Sequence, residues 1–223
     1  FLGFWRSVDA GLTWEALATR ESGPNMLGYT ISGADFAGQA FWDLCLEVDP
    51  LNAEHVVVGG VNVWESTDGG ANWICPLHWQ GADEALYTHA DQHDFVFLPD
   101  GDLLIANDGG IFRWEVAGSC VDKSAGLQIT QGYALGLDAR TPSQYLLGTQ
   151  DNGTFYATPE VTSRILDGDG FHCFVDTAVA DRLYASAYYG LLYRSDDGGR
   201  TMTGIADYFQ PSGPNELLSL IHI

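Results

Sequence analysis

Ser66-Thr67-Asp68-Gly69-Gly70-Ala71-Asn72-Trp73 is the stretch whose reading decides the fold. It has two relatives in the same chain. One is Ser7-Val8-Asp9-Ala10-Gly11-Leu12-Thr13-Trp14; the other is Ser195-Asp196-Asp197-Gly198-Gly199-Arg200-Thr201-Met202, with methionine in place of tryptophan. The shared form is S-x-D-x-G-x-T/N-W. Its chemistry is that of a hairpin turn. The aspartate accepts hydrogen bonds from backbone N–H groups of its own turn. The glycine supplies a positive φ. The tryptophan opens the next strand and packs between sheets. The motif thus holds the fold and needs no ligand.

Working outward from Ser66, short strands flank each turn. Phe41–Val48 alternates and is stopped by Asp49-Pro50; His55–Gly59 and Val61–Glu65 follow, and the turn leads into Trp73-Ile74-Cys75. The same four-strand unit recurs at His93–Leu98, Leu103–Ala106 and Ile111–Trp114. It recurs again at Tyr133–Leu137, Tyr145–Gly148 and Thr154–Ala157, and at Phe171–Val175, Leu183–Ala187 and Leu191–Arg194. First strands begin near positions 41, 93, 133 and 171. A spacing of about forty residues suits one four-stranded propeller blade. A sandwich would not repeat four strands around a recurring third hairpin. The expected fold class is therefore all-β, a β-propeller of four-stranded blades with these hairpins. One propeller region covers 1–223: a partial blade at 1–38, blades at 39–86, 87–128, 129–168 and 169–207, and a partial blade at 208–223. Phe1 starts inside a strand-like segment and Glu216–Ile223 stops without a turn, so the region reads as part of a larger ring.

Charge narrows the partners. The 223 residues carry 9 Lys and Arg against 30 Asp and Glu, a formal charge of −21, and Lys123 is the one lysine. Such a field repels nucleic acid and anionic lipid heads, which excludes both. No apolar run approaches the ~18–20 residues of a membrane helix, so no membrane insertion is expected. Four cysteines, Cys45, Cys75, Cys120 and Cys173, form no CxxC pair, which argues against structural zinc. They allow three disulfide pairings; Cys75 with Cys120, both near outer strands, is the first choice, and buried free thiols are the alternative.

The S-x-D-x-G-x-T/N-W turns resemble the Asp-boxes of BNR-repeat propellers. These include sialidases, sortilin-type domains and the xyloglucan-active glycoside hydrolases of family 74. A narrower resemblance rests on Tyr87–His93, Asn107–Ile111, Gly148–Gly153 and Gly168-Asp169-Gly170, which look like secreted bacterial repeat proteins described as sortilin-like or glycosidase-like. The resemblance implies a propeller placed outside the cell or on its surface.

Blade geometry sorts the candidate site residues. Strand A is innermost, so the D–A connections and B–C turns surround one channel mouth, and the Asp-boxes lie at the opposite end. D–A connections bring Asp35, Gln39, His89, Asp91, His93, Asp94, Gln131, Asp167, Asp169 and His172. B–C turns bring Asn62, Asn107, Asp108, Gln150, Asp151, Asn152, Tyr188 and Tyr189. Turns favour Asn, Asp and Gly in any case. The run His89-Ala90-Asp91-Gln92-His93-Asp94 is harder to dismiss. If it is extended, period-two alternation sets His89, Asp91 and His93 on one side, a ligand set for a divalent metal. The competing reading is that these histidines pair with neighbouring backbone.

Two functions follow. The first is a ligand-binding propeller that takes a polysaccharide or an extracellular protein. His89, His93, Gln131, Tyr133, Gln150, Asp151, Asn152, His172 and Tyr188 are its contact residues. The alternative is a glycoside hydrolase acting on a neutral polysaccharide through paired carboxylates: Asp91 or Asp94 on one side, Asp167 or Asp169 on the other. Trp42, Trp79, Tyr87, Tyr133, Tyr188 and Tyr189 could serve as sugar platforms, although most tryptophans here suit the core. A sialidase would need an arginine cluster for the sugar carboxylate, and no arginine falls in a D–A connection. No GxSxG elbow and no phosphate loop is present.

Overall fold

The computed structural model describes residues 1–80, 86–138 and 140–205. The expected partial blade at 208–223 lies outside the described residues. The chain forms two compact units, Phe1–Leu127 and Gln128–Ile223.

The first unit opens with a two-stranded hairpin, β1 (Gly3–Arg6) and β2 (Glu15–Thr19). Two four-stranded sheets follow. One runs β3 (Cys45–Val48), β4 (Val56–Gly59), β5 (Val63–Ser66), β6 (Ile74–Leu77), each strand antiparallel to the next. The other runs β7 (Gln92–Phe97), β8 (Leu103–Asn107), β9 (Gly110–Trp114), β10 (Cys120–Asp122) in the same manner. The second unit holds two more sheets. These are β11 (Gly132–Leu137) to β14 (Thr162–Leu166) through β12 (Tyr145–Thr149) and β13 (Gly153–Ala157), and β15 (Cys173–Val175) to β18 (Thr203–Gly204) through β16 (Leu183–Ser186) and β17 (Leu192–Ser195). Every sheet is a sequential antiparallel meander. The chain is all-β, built of four-stranded blades of the β-propeller kind.

Alternation explains the strands. In β8, Leu103, Ile105 and Asn107 turn one way and are buried, while Leu104 and Ala106 are half-exposed. All four residues of β4 are buried, because both faces of that strand are covered. Leu77 and Ile105 have no exposure at all. Burying each such side chain contributes about 1.5–3 kcal/mol. In the first unit Val57, Val63, Leu77, Phe95 and Ile105 form one cluster, and Met26, Leu27, Val58 and Trp64 another. In the second unit Leu146, Cys173, Leu183 and Ala185 form the core.

The three repeated turns join third to fourth strands, or β1 to β2, and are built alike. Asp68 Oδ1 accepts the Asn72 backbone N–H at 2.8 Å, and Asp68 Oδ2 accepts Asn72 Nδ2 at 2.7 Å. Gly70 N–H donates to Ser66 Oγ at 2.8 Å, with Gly70 at φ 95°. Asp9 with Thr13 and Asp197 with Thr201 repeat the pattern. Trp73 closes its turn by donating Nε1–H to Gly70 O and meets Phe4 edge-on at 5.0 Å. In the third copy Met202 packs against the second unit's core.

These hydrogen bonds, first those from the Thr13, Asn72 and Thr201 side chains, pull Asp9, Asp68 and Asp197 down to about 2 from 3.8. A depressed folded pKa stabilises above the unfolded value, and that stability is lost as pH falls toward 2. We expect the melting temperature to fall between pH 4 and 2, and to fall less in Asp68→Asn with Asp197→Asn. An unchanged acid limb in the double variant would show that the turns contribute nothing there.

Two expectations are corrected. Residues 41–44 are not strand: Trp42 and Asp43 backbone N–H groups both donate to Gln39 O, closing a turn ahead of β3. All four cysteines carry free thiols, so Cys75 is not joined to Cys120. Cys75 sits with the Trp64 cluster and Cys120 with the Ile105 cluster, and burial pushes the two thiols up to about 12 and about 11.

Candidate functional site

In the first unit the site is built on a scaffold of buried amides. Gln92, the first residue of β7, has no exposure. Its Nε2 donates to His89 O at 2.6 Å and Val61 O at 3.2 Å, and its own N–H donates to Gly60 O. Asn107 Nδ2 donates to Thr88 Oγ1 at 3.0 Å and to Gln92 Oε1 at 3.2 Å. Each amide buries a group that would otherwise be unpaired, so the D–A segment 88–92 and the B–C turns at 60–62 and 107–110 are locked together.

This locking displaces the expected alternation. Asp91 has φ 64°, so the segment from His89 to His93 is not extended, and the alternation that was to align three ligands is broken. The His89 ring lies against Gly109, where no Cβ fits. Among the described residues no group of three His, Cys, Asp or Glu side chains is arranged to hold a metal ion. The expected metal set His89, Asp91 and His93 is corrected accordingly.

A different constellation takes its place. His93 Nε2 lies 2.6 Å from Asp108 Oδ1, with the Asp108 side chain 13% exposed. Trp42 Nε1–H donates to Asp108 Oδ2 at 3.1 Å, and the Trp42 and His93 rings meet edge-on at 5.6 Å. Trp42 remains 53% exposed, held by this bond as a platform. Beneath it Asp43 has no exposure. Gln39 Nε2 donates to Asp43 Oδ2 at 3.3 Å, and Asp43 Oδ1 has no hydrogen-bond partner. Burial first, and the Asp91 carboxylate second, push Asp43 up from 3.8 to about 7. Asp91 is raised as well, by burial and then by Asp108. Asp94 stands apart on the exposed face of β7, its Oδ1 accepting Phe95 N–H at 3.0 Å.

The second unit presents an aromatic row. Tyr133 stacks on Phe171 with centroids 5.5 Å apart and planes at 15°. Phe171 meets Tyr188 at 6.4 Å, and Tyr188 meets Tyr189 at 6.2 Å. Tyr188–Gly190 forms a single 3-10 turn between β16 and β17. Tyr189 adopts φ 58° there and is 76% exposed. Asp169 Oδ1 accepts Asp151 N–H at 2.7 Å, which fixes the B–C turn. Gln150 N–H donates to Gln131 O at 3.0 Å, and Asn152 Nδ2 donates to Gln150 O at 3.0 Å. His172 is exposed, and its carbonyl accepts Ser186 N–H and Oγ–H.

The expected catalytic pairs fare unevenly. Asp91 and Asp94 lie in the first unit, Asp167 and Asp169 in the second. Asp167 is 86% exposed and ion-paired to Arg164 at 3.0 Å, and Asp169 serves backbone. Asp169 is half-buried, as is Asp91, and the surroundings of Asp91 raise its carboxyl. The residues missed in the sequence are Asp43 and Phe171, both read as strand. One signal for Asp43 was present: a charge directly after two aromatics at a strand start.

No helix among the described residues is long and apolar enough to cross a membrane. No protein-family model and no curated protein matches the chain. Solved structures do. The GH74 enzyme of Niastella koreensis is 15% identical over 91% of this chain and 34% of that one, with a TM-score of 0.37. The GH74 xyloglucanase of Xanthomonas campestris is 19% identical over 91% and 34%, TM-score 0.33. YCF48 bound to D1 peptide is 12% identical over 90% and 59%, TM-score 0.33. The chain thus spans about a third of the two GH74 enzymes and less than two thirds of YCF48.

Proposed function

We propose that residues 1–223 belong to one extracellular β-propeller that binds a neutral polysaccharide at the B–C and D–A ends of its blades. The observation that carries this is the aromatic row Tyr133, Phe171, Tyr188 and Tyr189, two of whose rings are 40% and 76% exposed at Tyr188 and Tyr189. Sugar rings offer apolar C–H faces that stack on such rings, while their hydroxyls donate to carboxylates such as Asp151 and Asp169. A formal charge of −21 disfavours an anionic ligand. Tyr189 holds a left-handed backbone conformation that non-glycine residues seldom adopt, a feature that clusters at binding sites.

Calorimetric titration with cellohexaose, mannohexaose and xylohexaose tests the reading. One of them is expected to bind, and Tyr188→Ala with Tyr189→Ala to weaken it at least tenfold, about 1.4 kcal/mol. Undiminished affinity in the double variant, or no binding by any of the three, overturns it.

A hydrolytic version is favoured by one observation, the half-buried Asp91, raised by burial and then by Asp108. A carboxyl raised above its ordinary range by burial is what a general acid requires. Release of reducing ends that disappears in Asp91→Asn, with retention intact, would establish it. Retention without release leaves binding alone.

A further inference from the structure

We propose that the exposed indole of Trp42 is the platform of a cation site that takes a quaternary ammonium group. Trp42, His93 and Asp108 all belong to the first unit, so the site does not depend on the aromatic row of the second unit or on the sugar reading.

The platform is fixed before any ligand arrives. The Trp42 backbone N–H donates to Gln39 O at 2.7 Å, which holds the residue in its turn. The indole Nε1–H donates to Asp108 Oδ2 at 3.1 Å, across 66 residues of chain. Asp108 Oδ1 is at the same time engaged by His93 Nε2 at 2.6 Å. The Trp42 and His93 rings meet at 84° with centroids 5.6 Å apart, so they do not stack. The indole is thus immobilised while 53% of Trp42 stays exposed. A ring already held in place loses little further freedom when a ligand settles on it.

Charge selects the ligand. A cation is attracted to the negative face of an aromatic ring, tryptophan above all, within about 6 Å of the centroid. Donation of the indole N–H to a carboxylate polarises the ring further in that direction. A cation on this ring also stands within about a Debye length of Asp108. The charges acting most strongly on Asp91 are Asp108, His89 and His93, and on Asp43 they are Asp91 and His93; all are carboxylates or imidazoles. The arginines of the first unit are engaged elsewhere. Arg6 pairs with Glu54, Arg113 pairs with Asp100 and Asp102, and Arg20 lies over the Phe36 ring at 5.5 Å. Among the described residues no arginine or lysine is placed over Trp42 in that way. Both Asp108 oxygens already hold partners, so the site offers a field more than directional hydrogen bonds. That suits a quaternary ammonium, which is weakly hydrated and has no N–H to satisfy, better than a sugar hydroxyl or a primary ammonium. An anionic group on the same ligand is repelled by the same field.

Saturation-transfer difference NMR on the methyl protons of choline, added to the full chain, is the test. A saturable signal is expected in the wild type, weakened in Trp42→Phe and lost in Trp42→Leu. The uncharged isostere 3,3-dimethyl-1-butanol, with carbon in place of nitrogen, should bind about tenfold more weakly or worse. Glycine betaine, which sets a carboxylate beside the same ammonium, should also bind more weakly than choline. Asp108→Asn removes the charge while keeping an oxygen for the indole N–H, and should lower choline affinity and flatten its salt dependence. Trp42→Leu covers the case in which Asp108→Asn fails to fold, because the Trp42 side chain is largely at the surface. A trimethyl-lysine peptide that outbinds choline would assign the group to a protein ligand, and the reverse order to a small solute; either supports the site. No saturable choline signal, an equal affinity for the uncharged isostere, or an undiminished signal in Trp42→Leu overturns the proposal. Choline binding without oligosaccharide binding would leave this site standing while the sugar reading falls.

Discussion

Gly148→Ala is expected to destabilise the second unit by about 3 kcal/mol or more, the upper end for overpacking a tight contact. Gly148 lies in β12, where the backbone of the next sheet passes directly over it. A Cβ added there would collide with the carbonyl oxygens of Gly170 and Phe171. Those atoms are backbone, so no rotamer change can make room. Gly170 N–H donates to Thr149 O at 2.9 Å, so separating the chains also strains that bond. Gly132→Ala is the control, because its Cβ meets only the tip of Leu147 at 3.0 Å, and a side chain can yield. Urea unfolding followed by near-ultraviolet circular dichroism reads both, since the Tyr133–Phe171 stack lies beside the collision. Equal midpoints for the two variants would refute the close approach.

Asp43→Asn is expected to stabilise the first unit at alkaline pH. The folded state raises Asp43 from 3.8 to about 7, so between those values the folded chain binds more protons than the unfolded one. Stability therefore falls as pH rises through that window, and the loss is complete above about pH 7. With 1.36 kcal/mol per unit, the loss is on the order of 4 kcal/mol at most. Asparagine keeps an oxygen for Gln39 and carries no charge. A gain on the order of 2–4 kcal/mol is expected at pH 8, and little or none at pH 4. Urea midpoints of the two proteins at both pH values decide it. A gain independent of pH would point to packing instead.

Much of this architecture was legible because its causes are local. The turn at Ser66–Trp73 satisfies its own backbone within eight residues, so its hydrogen bonds do not depend on the rest of the chain. Strand alternation in β8 or β12 is likewise written residue by residue. The forty-residue period then sets the order of the sheets. The strand reading failed at Phe41–Leu44, where two backbone N–H groups turn back to Gln39 and override an apolar pattern. The site was legible only as a set of segments. His89–Asp94 stood out for its charges, but Gln92, which carries none, is the residue that anchors it. The cysteines gave no signal of their own, because spacing says nothing about which cluster each thiol enters.

The sequence by itself determined the blade repeat, the turn chemistry, the acidic field and which segments gather at each end of a blade. These depend on hydrogen bonds and periodicities spanning a few residues. The tertiary structure alone decided which polar groups lose water and which partners they meet. Trp42 reaches Asp108 across 66 residues, Gln92 reaches Val61 across 31, and Asp43 is buried with one oxygen unpaired. Desolvation and long-range pairing set the protonation of a carboxyl, and neither is a property of the residues beside it in the chain.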